Sequence, residues 1–137
     1  MTTAISTSPV AGAVHVLRPA GPSGDGPALR SRAEVRIEES EPVFAGHYPG
    51  FPIFPGVCVV ECVHRAALAT APQGESDLSL TVLDSARFVG AVFPGDVLAV
   101  DIKWTATDDG WKCVAQASGS RGVAANVRLR YRTGAST

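Results

Sequence analysis

Alternating apolar and polar positions divide the chain into two strands, one helix and four further strands. Partial alternation predicts a strand over 29–37, preceded by a shorter strand over 11–18. The segment 19–27 (PAGPSGDGP) between them is dense in Pro and Gly, so it predicts a loop. After the helix, period-two patterns predict strands around 78–82, 97–105, 111–117 and 127–131.

The later strands carry further signals. Leu78, Leu80 and Val82 are expected to share one face of their strand. The turn Asp108-Asp109-Gly110 predicts a hairpin between the next two strands along the chain. The last strand is expected to be half buried with a basic outer face, formed by Arg128, Arg130 and Arg132.

Residues Val57 to Ala71 form the one substantial stretch typical of a helix. The stretch contains neither Gly nor Pro, and Pro72 lies just past its end. Its apolar residues lie nearly all the way round a helical wheel, which predicts a buried helix. Glu61 is its only acid.

This order of elements predicts an α+β fold. One antiparallel sheet wrapped around the single helix is the simplest way to bury that helix. The length of the chain predicts a single domain over 11–132, flanked by disordered residues 1–10 and a disordered tail over 133–137. A sheet of this kind has edge strands that need cover, and a two-fold partner copy would supply it.

Composition narrows the class of protein. The chain has 137 residues, 45% of them hydrophobic, and a net charge of −1, so nothing favours binding to nucleic acid or an anionic membrane. The three cysteines, an odd number without repeated spacing, argue against a disulfide framework. No stretch approaches a membrane span, and the first ten residues lack a signal-peptide pattern, so a cytoplasmic location is expected.

The run GHYPGFPIFPGV at 46–57 is the main chemical signal. Its three prolines and three glycines predict a stiff, shaped loop that presents His47 just before the helix. Imidazole has an ordinary pKa near 6.5, which suits a general base at neutral pH. Gly56 stands where the helix begins, and unpaired backbone N–H groups there can stabilise a developing negative charge. An apolar helix surface favours the neutral form of a carboxyl group, so Glu61 suits a general acid.

This run resembles the signature of the 3-hydroxyacyl-acyl-carrier-protein dehydratases with the hotdog fold. The pattern of that family reads G-H-F-P-G-x-P-I-x-P-G-V, followed by an acid on the central helix, and Tyr48 in place of Phe is the only departure within it. Ala86-Arg87-Phe88, followed by VFPGDVL at 92–98, resembles a second segment of the same family. The likeness covers about residues 34–131.

The resemblance implies a lyase that removes water from a (3R)-3-hydroxyacyl thioester to give the 2-enoyl product. Its substrate would be carried on the phosphopantetheine of an acyl carrier protein, and it would need no metal or organic cofactor. The resemblance also implies a homodimer, with a hexamer or a heterodimer of hotdog subunits left open. His47 of one subunit and Glu61 of the other would be catalytic, while Pro55, Gly56 and Val57 would bind the substrate and its oxyanion.

Two features depart from the family. Members used in bulk fatty-acid synthesis usually carry an N-terminal Pro-His-Arg element, which this chain lacks. Its absence favours a pathway-specific role in fatty-acid-like, polyketide or polyene synthesis. The family usually has Gln four residues after the acid, whereas this chain has Arg65, a cation that would favour the charged form of Glu61 if the two side chains met.

Simpler interpretations of some residues stay open. Glu61 and His64 form an E-x-x-H pair, but the further ligands of a di-iron site are absent from the sequence. His64 and His15 are therefore expected to be structural, and Cys58 and Cys62 are expected to pack as small buried side chains.

Other residues have two interpretations each. Arg87 and Phe88 could line the pocket, although packing and a salt bridge are favoured for them. The arginines of the last strand are expected to form a solvated face, with contact to an acidic carrier protein as the alternative.

Two other functions fit the same pattern. The hotdog fold also supports acyl thioesterases, and fold alone does not decide between the two chemistries. A non-catalytic hotdog subunit of a heteromeric dehydratase is the second alternative.

Overall fold

The computed structural model describes residues 12–24, 26–38, 56–72 and 77–134. The predicted order of elements is confirmed in these ranges, and the helix lies within one residue of both predicted ends. The elements are β1 (Val14–Pro22), β2 (Leu29–Arg36), α1 (Gly56–Thr70), β3 (Ser79–Phe88), β4 (Val97–Ala106), β5 (Gly110–Gly119) and β6 (Gly122–Arg132).

The six strands form one antiparallel sheet in the order β1-β2-β4-β5-β6-β3. Tight turns join β4 to β5, as the turn at Asp108-Asp109-Gly110 predicted, and β5 to β6. Strand β3 does not pair with its successor β4. It lies instead at the far edge of the sheet, beside β6.

The inner face of the sheet packs against one side of α1. This arrangement confirms the α+β hotdog architecture, in which a sheet wraps around a single helix. Small residues on the helix allow close approach to the larger side chains of the strands. The buried side chains of α1 are Cys58, Val59, Cys62, Val63, Ala66, Ala67 and Thr70, and those of the two central strands include Leu98, Val100, Ile102, Trp104, Cys113, Ala115 and Ala117.

The loop prediction over 19–27 is wrong for its first four residues. Residues 19–22 belong to β1, an edge strand whose pairing with β2 shifts register between Val16 and Arg18 and again between Arg18 and Gly21. Proline is tolerated in edge strands and at bulges, where its missing N–H removes no ladder hydrogen bond. The predicted turn is therefore shorter, around Gly24 and Gly26.

The prediction that Leu80 and Val82 share a face is also wrong. Register shifts between Leu80 and Val82 set Leu80 opposite Tyr131 on the inner face but Val82 opposite Arg130 on the outer face. A β-bulge of this kind adds one residue and reverses the alternation that period two assumes. Both side chains are exposed in this edge strand, by 39% and 43%.

The helix is less completely buried than its apolar composition predicts. One stripe of α1, formed by Val57, Glu61, His64 and Leu68, is only partly covered by the sheet; we call it the open stripe. Val57 is 72% exposed and Leu68 is 45% exposed, while Glu61 and His64 are half buried between them. Their spacing of four, three and four residues places all four side chains on one helical face.

All three cysteines are buried and none forms a disulfide. Burial raises the pKa of the Cys113 thiol on β5 to about 12, so this group stays protonated at neutral pH. The one helix of the described ranges is not long and apolar enough to cross a membrane.

Candidate functional site

The N-terminus of α1 lies against the aromatic ring of Phe88. A Cβ atom built on Gly56 would stand 2.9 Å from Cζ of Phe88, closer than side chains pack. Glycine at this position therefore lets the last residue of β3 cover the first turn of the helix. The favoured packing role of Phe88 is supported, and its ring remains 49% exposed beside the helix terminus.

The turn Phe93-Pro94-Gly95-Asp96 fixes the end of β2. The Asp96 carboxylate accepts a hydrogen bond from Phe93 N–H at 3.0 Å and one from the Ser120 hydroxyl at 3.1 Å. Gly95 has a positive φ of 87°, which glycine adopts without strain. The backbone of this turn exchanges two hydrogen bonds of 2.8 Å with Ile37: Ile37 N–H donates to the Asp96 carbonyl, and Gly95 N–H donates to the Ile37 carbonyl.

These two contacts lie at either end of segment 39–55. Ile37 precedes the segment and Gly56 follows it, so residues of the second motif contact the chain on both sides of the segment. His47 and Pro55 lie inside the segment and therefore outside the described residues. Their predicted roles stay predictions.

Glu61 occupies the second turn of α1. The helix carries no other acid and has none in its first turn, so Glu61 is the one carboxyl group on this element. Its side chain lies on the open stripe, with Val57 one turn before it and His64 three residues after it. The predicted site residues Gly56, Val57 and Glu61 thus share the N-terminal part of one helix, where the helix dipole is positive.

Arg65 lies one helical turn after Glu61 and is also half buried. The expected salt bridge of Arg87 is not among the ion pairs within the described residues, which join Arg32 to Asp101, Arg36 to Glu38 and Arg130 to Asp84. Arg87 is exposed on β3, opposite Asn126 of β6.

His64 makes a contact that the sequence did not predict. Its Nδ1 atom lies 2.8 Å from the hydroxyl of Tyr131, and the two rings stack with centroids 5.7 Å apart and planes 8° from parallel. The residues are 67 positions apart, so no local pattern could indicate the pair. Burial lowers the pKa of His64, and the charge of Glu61 opposes that effect.

A second polar cluster fixes the C-terminal end of the helix. Trp104 Nε1–H donates to the Ser31 hydroxyl at 2.9 Å. The Thr70 hydroxyl lies 2.9 Å from the same Ser31 oxygen and 2.8 Å from the carbonyl of Ala66. Ser31 and Thr70 are fully buried polar residues, so this cluster links α1 to β2 and β4 inside the core.

Metal-ligating residues do not cluster in the part of the chain that the structure describes. No group of three or more His, Cys, Asp or Glu side chains there could hold an ion.

Comparison with known proteins assigns the family. Residues 27–125 match the model of the ApeI-like family, described as ApeI dehydratase. The chain belongs to the ApeI-like dehydratase family. Its match to the family model includes both the segment that carries His47 and the turn at Asp96.

A curated relative of this ApeI-like chain is the 3-hydroxyacyl-[acyl-carrier-protein] dehydratase FabZ of Symbiobacterium thermophilum. The two are 39% identical over 84 residues, which cover 58% of this chain and 59% of the relative. This chain covers only 52 to 59% of the length of each of the first three curated relatives.

Solved structures show the shared fold of the ApeI-like chain. The dehydratase heterocomplex ApeI:P from Xenorhabdus doucetiae matches with a TM-score of 0.62 and 18% identity, over 75% of this chain and 87% of that one. A hypothetical thioesterase with coenzyme A from Streptococcus pneumoniae matches with a TM-score of 0.66 and 11% identity, over 89% and 86%. At these identities the likeness establishes the hotdog fold for this family member.

Proposed function

We propose that this chain removes water from a 3-hydroxyacyl thioester carried on the phosphopantetheine arm of a carrier protein, giving the 2-enoyl thioester. The observation that carries the proposal is the position of Glu61. It is a single, half-buried carboxyl group on the open stripe of an otherwise apolar helix whose N-terminus begins at Gly56. Membership of a dehydratase family and the curated FabZ relative support the same chemistry.

The elimination assigns one task to each group. His47 takes the proton from the carbon next to the thioester carbonyl, and the electron pair of that C–H bond moves onto the carbonyl oxygen. Backbone N–H groups at Gly56 and Val57 stabilise this oxygen, because they are unpaired at the helix start and the dipole is positive there. The electron pair then returns to form the double bond while the C–O bond breaks. Glu61 gives its proton to the departing hydroxyl, which leaves as water.

A second copy of the chain would complete the site. Strand β3 is ten residues long and lies at the edge of the sheet, with exposed apolar side chains that include Leu80, Leu83 and Phe88. An exposed, apolar edge strand is a template for pairing with another strand. We propose that β3 of a second copy covers this edge and that His47 of one copy meets Glu61 of the other. The acyl chain would then lie between the two copies, against the apolar ends of the open stripe.

An acidic carrier protein would find a complementary surface on the outer face of the sheet. The net charge of the chain is −1, yet the cations Arg30, Lys103 and Arg128 lie in one row across β2, β4 and β6 on that face. A shallow depression between strands is lined by Arg30 and Lys103 together with Gln116 and Asp101, whose carboxylate pairs with Arg32. Opposite charges of this kind steer association and fix the orientation of the complex. We propose that this face receives the carrier.

Product analysis tests the proposed function. Purified protein is incubated with a carrier-bound 3-hydroxyacyl substrate, and intact-mass spectrometry follows the acyl group on the carrier. Loss of one water from the acyl group, with the thioester intact, is the expected result. Release of free carrier thiol without any enoyl product would instead support the thioesterase alternative, which the structural likeness to a thioesterase keeps open.

The same assay tests the non-catalytic alternative. Activity that appears only after addition of a second hotdog protein would indicate a subunit of a heteromeric enzyme. The resemblance to one chain of a dehydratase heterocomplex makes this comparison necessary. Turnover by the pure chain alone is the expected result.

A further inference from the structure

The stacked pair of His64 and Tyr131 has no task in the elimination described above. Tyr131 lies on the inner face of β6 and is only 2% exposed, while His64 is half buried on the open stripe. One hydrogen bond of 2.8 Å and a nearly parallel ring stack fix the two side chains to each other. The pair therefore locates the imidazole of His64 firmly, three residues after Glu61.

The surroundings of Tyr131 determine where the proton of His64 lies. A buried hydroxyl donates its hydrogen wherever an acceptor is available. Within the described residues, the partner of the Tyr131 hydroxyl is Nδ1 of His64 at 2.8 Å, and we infer that the hydroxyl donates to this nitrogen. A ring nitrogen that accepts carries no hydrogen, so the neutral imidazole carries its proton on Nε2. Protonation of Nδ1 would reverse this bond, so that the ring N–H donates to the tyrosine oxygen and the tyrosine hydrogen loses its acceptor.

Electrostatics connect the pair to Glu61. Burial is the main cause that lowers the pKa of His64, and the Glu61 carboxylate acts in the opposite direction. Burial also raises the pKa of Tyr131, and the charges of Cys113 and Glu61 raise the pKa further by smaller amounts. The titratable groups around the imidazole are Glu61 and Arg65 on α1 and Tyr131 on β6. Cys113 on β5 affects Tyr131 in turn. The charge of Glu61 is felt at both rings.

We propose that Tyr131 and His64 are a positioning pair for Glu61. Tyr131 holds His64 as a neutral ring with its proton on Nε2, so that an uncharged N–H donor stands beside Glu61 on the open stripe. A cationic imidazole at this place would favour the carboxylate form and withdraw the proton that Glu61 must donate. This inference rests on the proposed function, in which Glu61 is the general acid.

Nitrogen NMR of ¹⁵N-histidine-labelled protein tests the pair without any need for activity. The resonance of His64 is assigned by its loss in His64→Phe, and exposed His15 serves as the internal control. We expect the Nε2–H tautomer in the unmodified chain. Tyr131→Phe should raise the pKa of His64, since it removes a bond to the neutral form, whereas Glu61→Gln should lower it by removing a nearby negative charge. A proton on Nδ1, or a His64 titration that Glu61→Gln leaves unchanged, would overturn the proposal.

The pH dependence of turnover tests whether the pair affects the action of Glu61 as the general acid. In Tyr131→Phe the imidazole becomes cationic at higher pH, so the decline of kcat on the acid side should move up by about one pH unit. The double variant Tyr131→Phe/His64→Phe forms no cation at this position, so it should lose that shift and keep the acid limb that protonation of the base His47 sets in the unmodified chain. A purely structural role would lower the melting temperature of both variants and leave the position of the acid limb unchanged, which would refute a positioning role.

The two experiments separate this inference from the proposed function. Full activity of Glu61→Gln would end the role of Glu61 as the acid, and the positioning role would end with it, even if the NMR titrations showed the pair as described. An inactive Glu61→Gln variant with an unaltered His64 titration would overturn the pair alone and leave the dehydratase proposal standing.

Discussion

At the scale of single residues, Gly56 serves packing and chemistry through the same missing side chain. The ring of Phe88 occupies the space that a Cβ would need, and the adjacent backbone N–H begins the helix. A substitution at this position changes both properties together. A second substitution that restores the space can separate them.

We predict that Gly56→Ala lowers kcat by about a hundredfold, because the added Cβ would keep the thioester oxygen away from the backbone N–H, with an effect of the order seen when one oxyanion donor is lost. The half-exposed Phe88 ring can swing outward, so the free energy of unfolding should fall by less than about 1 kcal/mol. The double variant Gly56→Ala/Phe88→Ala should regain stability but not kcat. Steady-state kinetics and urea unfolding measure the two quantities, and recovery of kcat in the double variant would assign the defect to packing alone.

A second residue-scale prediction concerns the acid and the base. His47→Ala and Glu61→Gln should each lower turnover by a factor of about 10² to 10⁴, the range of a general acid or base. His47→Ala should be the more damaging, because no other group can then take the proton from carbon. Circular dichroism must show both variants folded, and a near-normal rate in either would remove that residue from the mechanism.

Sequence reasoning found the residues that local motifs reveal and missed those that folding brings together. Gly56, Val57 and Glu61 were predicted from one contiguous run and its helix. His64 was expected to be only structural, because Tyr131 is its neighbour through a contact between α1 and β6. Hydrogen bonds between distant elements leave no periodic signal in the chain.

At the scale of elements, two polar clusters hold α1 in the sheet. The pair His64–Tyr131 fixes its middle, and Ser31 fixes its end through Trp104 and Thr70. An apolar core alone would let the helix rotate or slide, since hydrophobic contacts have no direction. Directional hydrogen bonds therefore help to set how the open stripe, with Glu61, faces outward.

Removal of the Ser31 hydroxyl tests whether the cluster at the end of α1 stabilises the fold. In Ser31→Ala the buried indole N–H of Trp104 loses its acceptor, which should lower the free energy of unfolding by about 1–3 kcal/mol. Ser85→Ala, at an exposed position of β3, is the matched control and should change it by less than about 0.5 kcal/mol. Equal effects of the two substitutions in urea titrations would show that the cluster adds nothing.

The helix and most strands were predictable from the sequence, and the errors made in predicting the others have physical causes. Strands that bury one face follow period two, and β4, β5 and β6 follow it closely. The edge strands β1 and β3 do not, because bulges interrupt their pairing and tolerate residues such as Pro19. The strand order, with β3 beside β6, depends on where the chain crosses and has no local signature.

At the scale of the whole molecule, charge and apolar surface lie in different places. The outer face of the sheet carries a row of cations, while half of the exposed large apolar residues lie on β3 and the open stripe. This separation suits a molecule that receives an acidic partner on one surface and buries another against a copy of itself. Each of the two surfaces leads to a separate prediction.

The basic face predicts salt-sensitive binding of the carrier. Arg128→Glu should raise KM for the carrier-bound substrate by about threefold to tenfold, since like charges then oppose the partner. Arg18→Glu makes the same charge change on β1, which three strands separate from β6, and should have a smaller effect. The KM of an N-acetylcysteamine thioester, which lacks the carrier, should not change in Arg128→Glu. Equal changes for both substrates would refute docking at this face.

A salt titration gives an independent measurement of the same contact. Raising the salt concentration from about 0.05 M to about 0.5 M shortens the reach of exposed charges. KM for the carrier-bound substrate should therefore rise in the unmodified chain and rise less in Arg128→Glu. A KM that does not depend on salt in the unmodified chain would contradict electrostatic docking.

The apolar edge predicts a site shared between two copies, and mixing inactive variants tests it directly. In a dimer that joins His47→Ala to Glu61→Gln, one site receives both intact residues and the other site receives both changes. Random reassortment makes half of the dimers mixed, so co-refolded protein should reach about a quarter of normal activity. If His47 and Glu61 of a site came from the same copy, every site would keep one defect and mixing would restore nothing. Each variant refolded alone supplies the baseline, and size-exclusion chromatography with light scattering establishes that the mixture is dimeric.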